Sequence, residues 1–403
     1  MTSHQNINPR PIPPPPPDWR TPDHPPPQRP PRKSAAGKII ALLIVLLLLL
    51  SILFLTPIGR NFFSELAGNS YAQSSEFTLV RDITVEVNSG DITYACDIPL
   101  PREIAGSEED IQTIQSVVPN PDVPTIIKYG QDWVEWTGQE DNSVTFRITY
   151  RATVRTVIWD IGTGDSGMVS DIPASYLALQ GNDEWEITDN DGNPTGEYMI
   201  WPSDQDIQDL SDELTSGDLT AYENIRNVYN YLRENIDYQT VSGSEPKSCL
   251  ETLSDGTGDC DDQSILMISL LRAAGIPAWL AFGMLYDSVR DEWGAHAWAE
   301  VYIPLKDDDG GSVVIDVVND EFLVRNCNRL EEWKSDGNGE HLSDYYHTLS
   351  YNYTLTNPHQ QPPNVVLSDS FSGDYEASNE KVYAMLNHDN FLNVPVAQAR
   401  REH

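Results

Sequence analysis

The chain has 403 residues, with 62 Asp and Glu against 25 Lys and Arg and a formal charge of −37. That length exceeds what one ordinary core organises, so two folded domains with flanking segments are expected. So acidic a surface repels nucleic acid and anionic lipid, while it stays soluble in concentrated salt, which points to a salt-tolerant prokaryote.

Residues 1–38 form a proline-rich tail that includes the run Pro13 to Pro17. Polyproline geometry has no internal hydrogen bonds with which to build a core, so the tail is expected to be disordered. Residues 39–58 are almost wholly Leu, Ile, Val and Ala without a charge. About 20 such residues match the hydrocarbon thickness of a bilayer and predict one transmembrane helix. A proline-rich leader stands where the short n-region of a signal peptide belongs, which favours an uncleaved anchor; Ser70-Tyr71-Ala72 is the competing cut site. Arg10, Arg20, Arg29, Arg32, Lys33 and Lys38 against Asp18 and Asp23 put the tail in the cytoplasm and the remaining domains outside, in a single-pass protein of the cell membrane.

After a linker over 59–75, alternation predicts an extracytoplasmic β-sandwich over 76–202. Its strands include Phe77 to Val87, Ile92 to Ile98 and Thr125 to Tyr129, with Val144, Phe146, Ile148 and Tyr150 on one face of another. Asp189-Asn190-Asp191-Gly192 resembles half a calcium loop but lacks the later bidentate acid, and reads as a turn. The period then changes. Ile207, Leu210 and Leu214, and Ile225, Val228, Tyr229, Leu232 and Ile236, recur at helical spacing. Thr220 and Glu223 form a capping box at the start of the second helix. Gly256 and Gly258 interrupt the chain before the apolar run Ile265 to Leu271, a helix that must be buried, ended by Gly275-Ile276-Pro277. Strands follow at Ala278 to Tyr286, Ala295 to Ile303 and Ser312 to Val318, with Asp307 to Gly311 as the turn between the last two. The domain over 203–330 is therefore α+β, a buried helix on an antiparallel sheet. Residues 331–403 are expected to be a C-terminal extension with a strand over Tyr345 to Leu355, whose role the sequence does not give; Asn352-Tyr353-Thr354 is a lone glycosylation sequon within it.

Cys260 falls where the glycine-rich turn meets the first turn of the buried helix, and free N–H groups and the helix dipole there favour a thiolate. Asp259, Asp261 and Asp262 oppose that, so a neighbouring imidazole is needed. Of the eight histidines only His296 begins an extended apolar run, Gly294-Ala295-His296-Ala297-Trp298-Ala299-Glu300. Alternation lets its ring project toward Cys260, while Trp298 and Glu300 are expected to pack and pair locally. Asp316 is the only acid in Val313 to Val318, and a buried carboxylate requires a partner such as an imidazole N–H. Cys96, Cys249, Cys260 and Cys327 include no C-x-x-C pair, so no metal or other cofactor is expected. With Cys260 free, one disulfide is allowed; Cys249 with Cys327 is expected, other pairings remaining open.

Gly258-Asp259-Cys260-Asp261-Asp262, Leu270 to Ala278, His296-Ala297-Trp298-Ala299-Glu300-Val301 and Ile315-Asp316 together resemble the transglutaminase-like superfamily in order and spacing. The likeness runs over roughly 205–320 and is to prokaryotic, archaeal-type membrane-anchored members. It implies a papain-like fold in which Cys260 is the nucleophile, His296 the general base and acid, and Asp316 the orienting acid. The reaction implied is acyl transfer through a thioester, by a peptidase or amide acyltransferase acting on peptide or protein substrates. Ser312 stands where the family has Trp, and Val317-Val318 replace its Pro-Thr. Beyond the N–H of Cys260, Tyr238 and Gln239 are the candidate oxyanion donors. The departures and the acids beside Cys260 define the alternative, a catalytically silent scaffold for adhesion or envelope binding. Oligomeric state is not legible.

Overall fold

Residues 68–385 are described in the computed structural model, apart from 107–108, 177–180, 190, 241–244, 308–309 and 356–358. The proline-rich tail and the apolar run 39–58 lie outside the described residues. Among the described residues no helix is long and apolar enough to cross a membrane.

Strict alternation of buried and accessible side chains over Ser74–Val87 and Ser143–Arg155 makes two long antiparallel strands, paired from Ser74 opposite Arg155 to Glu86 opposite Ser143. They are the centre of a four-stranded sheet whose edges are Val365–Ala377 and Gln112–Asn120. A second four-stranded sheet runs in the order Leu349–Asn352, Ile92–Pro99, Gln131–Glu140, Thr125–Lys128. Leu79, Ile83, Phe146 and Ile148 meet Cys96, Ile98 and Trp136 in one core, with Trp136 stacked on Phe146 at 4.8 Å.

The second core is built round a helix. Helices α1 (Gln205–Leu214), α2 (Ala221–Asn235) and α3 (Cys249–Asp255) surround α4 (Cys260–Ala273), in which every residue from Asp262 to Arg272 is buried. The Thr220–Glu223 capping box starts α2. Ser248 and Glu251 cap α3 in the same way, and Gly256 at φ 66° ends it. Because α4 is apolar on nearly all sides it needs cover on all sides. A five-stranded antiparallel sheet in the order Glu321–Phe322, Gly311–Asp316, Glu292–Ile303, Ala278–Asp287, Arg329–Lys334 covers one of them.

The described residues between 331 and 385 are not an extension. Arg329–Lys334 is an edge strand of the α4 sheet, α5 (Gly339–Tyr346) packs Leu342 into the helix-centred core, and Leu349–Asn352 and Val365–Ala377 complete the two sandwich sheets. The chain thus returns through both cores, and the strand expected over Tyr345 to Leu355 contracts to Leu349–Asn352 because Tyr345 and Tyr346 end α5. The expected Cys249–Cys327 disulfide is also corrected: all four cysteines are free, Cys249 lying in the helix-centred core and Cys327 in the sandwich core. Burial pushes the Cys96 thiol up to about 12 and Cys249 to about 11.

Candidate active site

The turn before α4 fixes where Cys260 stands. Gly258 pairs in parallel with Tyr238, and a Cβ on Gly258 would lie 2.6 Å from the Asp262 Cβ, so the approach tolerates only glycine. Asp262 accepts the N–H of Asp259 at 3.1 Å and that of Lys247 at 2.7 Å, which locks the first turn of the helix. Cys260 is its first residue and the only partly exposed cysteine. The backbone N–H of Ala297, one residue beyond His296, is directed at its sulfur and favours the thiolate. The adjoining strand therefore passes directly over the thiol.

The His296 ring is almost enclosed, and its Nε2 lies 2.7 Å from Oδ2 of Asp316. Asp316 also accepts from Asn319 Nδ2 at 2.8 Å and meets Arg329 Nη1 at 2.9 Å. Burial works to raise this carboxyl, but the charges of His296 and Arg329 outweigh it and hold Asp316 below the usual carboxylate range. An ionised carboxylate only accepts, so Nε2 must carry the ring proton toward it, and Nδ1 is left as the basic nitrogen.

Two groups of acids frame this arrangement. Arg329, fully enclosed, pairs with Glu321 as well as Asp316, and its guanidinium lies 5.2 Å from the Trp298 ring. Burial lifts Glu321 to about 7 despite that cation. On the other side of the thiol, the ligand-type atoms of Asp259, Cys260 and Asp261 lie within 4.8 Å of one another. Burial first, then its hydrogen bond with Asp259, lifts Asp261 to about 8, and Tyr346 donates to it at 2.9 Å. Burial, with Asp261 and Asp259 behind it, pushes the Cys260 thiol well above its ordinary range. The surroundings of Cys260 therefore favour the neutral thiol.

Of the residues singled out from sequence, His296 and Asp316 are hydrogen-bonded to each other, and Ala297, next to His296, lies against Cys260. Trp298 is enclosed beneath Arg329 and Glu300 pairs with Lys334 at 3.3 Å. Tyr238 is exposed, its phenol raised first by partial loss of solvent and then by Cys260 nearby, and the backbone of Gln239 bonds to Gly258. Ser312 is buried opposite Tyr302. The turn after Val317 closes by a bond from the Asp320 N–H to the Val317 carbonyl, which carries Asn319 back onto Asp316. Arg329, Glu321, Asn319 and Tyr346 escaped the sequence reading. One signal was available: an enclosed Asp beside a His in so acidic a chain calls for a cation, and Arg325 and Arg329 are the next arginines along the chain.

Residues 208–317 match the family model of the Transglutaminase-like superfamily. The chain carries a transglutaminase-like domain. Its fold is similar to that of a candidate cysteine protease from Cytophaga hutchinsonii, with a TM-score of 0.55 and 13% identity over 83% of this chain and 100% of that one. A match to a candidate protease from Parabacteroides distasonis, at 12% identity over 64% of this chain and 63% of that one, has a TM-score of 0.23 and carries no argument. No curated protein matches. The family match and the fold likeness to the Cytophaga protein support a transglutaminase-like core, and the membrane-spanning part of the expected architecture lies outside the described residues.

Proposed function

We propose that this chain is a cysteine-dependent amide hydrolase acting on peptides or proteins through a thioester. In this reading Cys260 is the nucleophile, His296 its base and then the acid for the leaving amine, and Asp316 the group that holds the imidazole and its positive charge. One observation carries it: the imidazole is clamped at 2.7 Å by a fully enclosed carboxylate, while the next backbone N–H points at the Cys260 sulfur. The sulfur attacks the carbonyl as its proton moves to Nδ1. That proton then passes to the departing amine, and water repeats the sequence on the thioester. Water is the abundant acceptor outside a cell, so hydrolysis is preferred to transfer onto an amine. The apolar run 39–58 anchors the enzyme with residues 68–385 outside.

The test is amide turnover of a peptide library by the full-length chain and by Cys260→Ala. Turnover undiminished in the variant refutes the mechanism. A labelled primary amine added to the same reaction refutes the preference for water if its incorporation exceeds hydrolysis. The acids that push the Cys260 thiol up favour a second reading, a silent scaffold for adhesion or envelope binding. Under that reading Cys260 alkylates only above the ordinary thiol range and indifferently to His296.

A further inference from the structure

A cavity of about 430 Å³ opens between the hairpin formed by Glu184–Thr188 and Pro194–Ile200 and the loop that leads into α3. This volume falls in the range of small-ligand sites. Its wall carries Tyr198 and Trp201, whose rings lie 6.1 Å apart with a tilt of 56°, and the charged residues Glu197, Glu245, Glu251 and Lys247.

Three of the four charges are already engaged. Lys247 Nζ turns to Asp255 at 2.8 Å and to Thr257, Glu251 accepts from Ser248 at the start of α3, and Glu245 meets His347 at 3.0 Å. Among the described residues Glu197 has only its backbone N–H engaged, by Thr195 at 3.2 Å, and its carboxylate stands exposed at the mouth. Three carboxylates against one cation make the cavity negative. Aromatic rings beside an available carboxylate select a cation over a neutral group, and Met199 and Leu250 give an aliphatic stem apolar surface to lie on.

The wall is also tied to the nucleophile's own turn. The Lys247 N–H bonds to Asp262, and Tyr346, next to the His347 that holds Glu245, bonds to Asp261. Both links end on the two residues that follow Cys260. We propose that this cavity is a subsite for the cationic side chain of a lysine or arginine in the peptide whose amide reacts at Cys260. The peptide part rests on the function proposed above; the preference for a cation rests on the cavity alone.

The test is calorimetric titration of the full-length chain carrying Cys260→Ala with Nα-acetyl-lysine methylamide and with its neutral norleucine counterpart. The lysine probe should bind about tenfold more tightly, and Glu197→Gln and Trp201→Leu should each weaken it about two- to fivefold while sparing the norleucine probe. Raising salt from about 0.05 to 0.5 M should weaken the lysine probe alone. Equal affinity for the two probes overturns the proposal, as does a lysine affinity unmoved by both substitutions. Discrimination by Cys260→Ala together with no acylation of Cys260 in the unsubstituted chain would sink the proposed function and leave the subsite standing. Acylation of Cys260 in the unsubstituted chain without discrimination would do the reverse.

Discussion

Arg329 is the sharpest place to perturb the site. Its guanidinium and the His296 imidazole touch the same Asp316 oxygen, at 2.9 and 2.7 Å. They therefore stand no more than about 6 Å apart, where at an effective dielectric constant of about 20 a unit charge is worth about 3 kcal/mol, or about two pH units. Near pH 6, below the value of about 7 to which Glu321 is lifted, that acid is protonated and Asp316 is the carboxylate that faces Arg329. Arg329→Met removes this cation, so the protonated forms of nearby groups become more stable. The acid limb of Cys260 alkylation by iodoacetamide should move up by about one to two pH units, the smaller figure allowing for relaxation. Cys96, Cys249 and Cys327 are fully enclosed, so alkylation of the folded chain reports Cys260. Breaking the pair also leaves Asp316 and Glu321 facing each other, at about 3–5 kcal/mol of stability. The double variant Arg329→Met/Glu321→Gln should recover part of that stability while the alkylation limb stays displaced, since no cation returns. A limb unmoved in both variants refutes the electrostatic reasoning and leaves Arg329 a structural residue.

Replacing the proton acceptor, His296→Gln should slow Cys260 alkylation at neutral pH about a hundredfold with little change in melting temperature; an unchanged rate would show that the thiol ionises without the imidazole. Asp261, lifted from 3.8 to about 8, holds its proton in the folded chain where the unfolded chain has released it. Its contribution is therefore full below the ordinary carboxylate range and is drawn down as pH rises from about 4 to 8. Asp261→Asn should flatten the fall in melting temperature across that window, with the residual slope left to Glu321; a slope as steep as before would mean that Asp261 is ionised at rest. A chain ending at residue 360 loses the edge strand Val365–Ala377 and the Asp369 partner of Arg81, an ion pair of 2.6 Å. It should lose several kcal/mol in denaturant titration, and undiminished stability would show the C-terminal return to be dispensable.

The parts of the molecule that obey a simple period were legible in its sequence. Capping at Thr220, the apolar length of α4 and the alternation over 143–155 each announce their structure locally, and the partner expected for the enclosed Asp316 is the His296 ring that lies 2.7 Å from it. The strand Arg329–Lys334 announces nothing, because Arg329, Glu331 and Glu332 are charged and yet fully enclosed, made tolerable only by partners such as Asp316 and Arg81 from distant segments. Val365–Ala377 is hidden for the opposite reason: as an edge strand it exposes both faces and has no alternation to read. At Tyr345 and Tyr346 the aromatic preference for strands pointed the wrong way, and stacking of Tyr345 on Phe282 and Trp333 places both residues at the end of a helix.

The enclosed charges bear on the proposed role of Cys260 as a nucleophile in so acidic a protein. Acids crowd both ends of the catalytic arrangement, Asp259 and Asp261 at the sulfur and Asp316 and Glu321 behind the imidazole. Four full negative charges there would keep the proton on the sulfur. The fold relieves them in two ways. Protons stay on Asp261 and, below about pH 7, on Glu321, and one enclosed cation, Arg329, serves Asp316 and Glu321 together. The cation comes from Arg329, beyond the matched segment 208–317, whereas the Tyr346 hydrogen bond opposes the proton on Asp261. The 208–317 segment cut out alone would therefore keep Cys260, His296 and Asp316 while losing the cation that balances Asp316. Its Cys260 should alkylate more slowly than that of the full chain at neutral pH even where circular dichroism shows it folded, and equal rates would show that the charge balance lies within the segment itself.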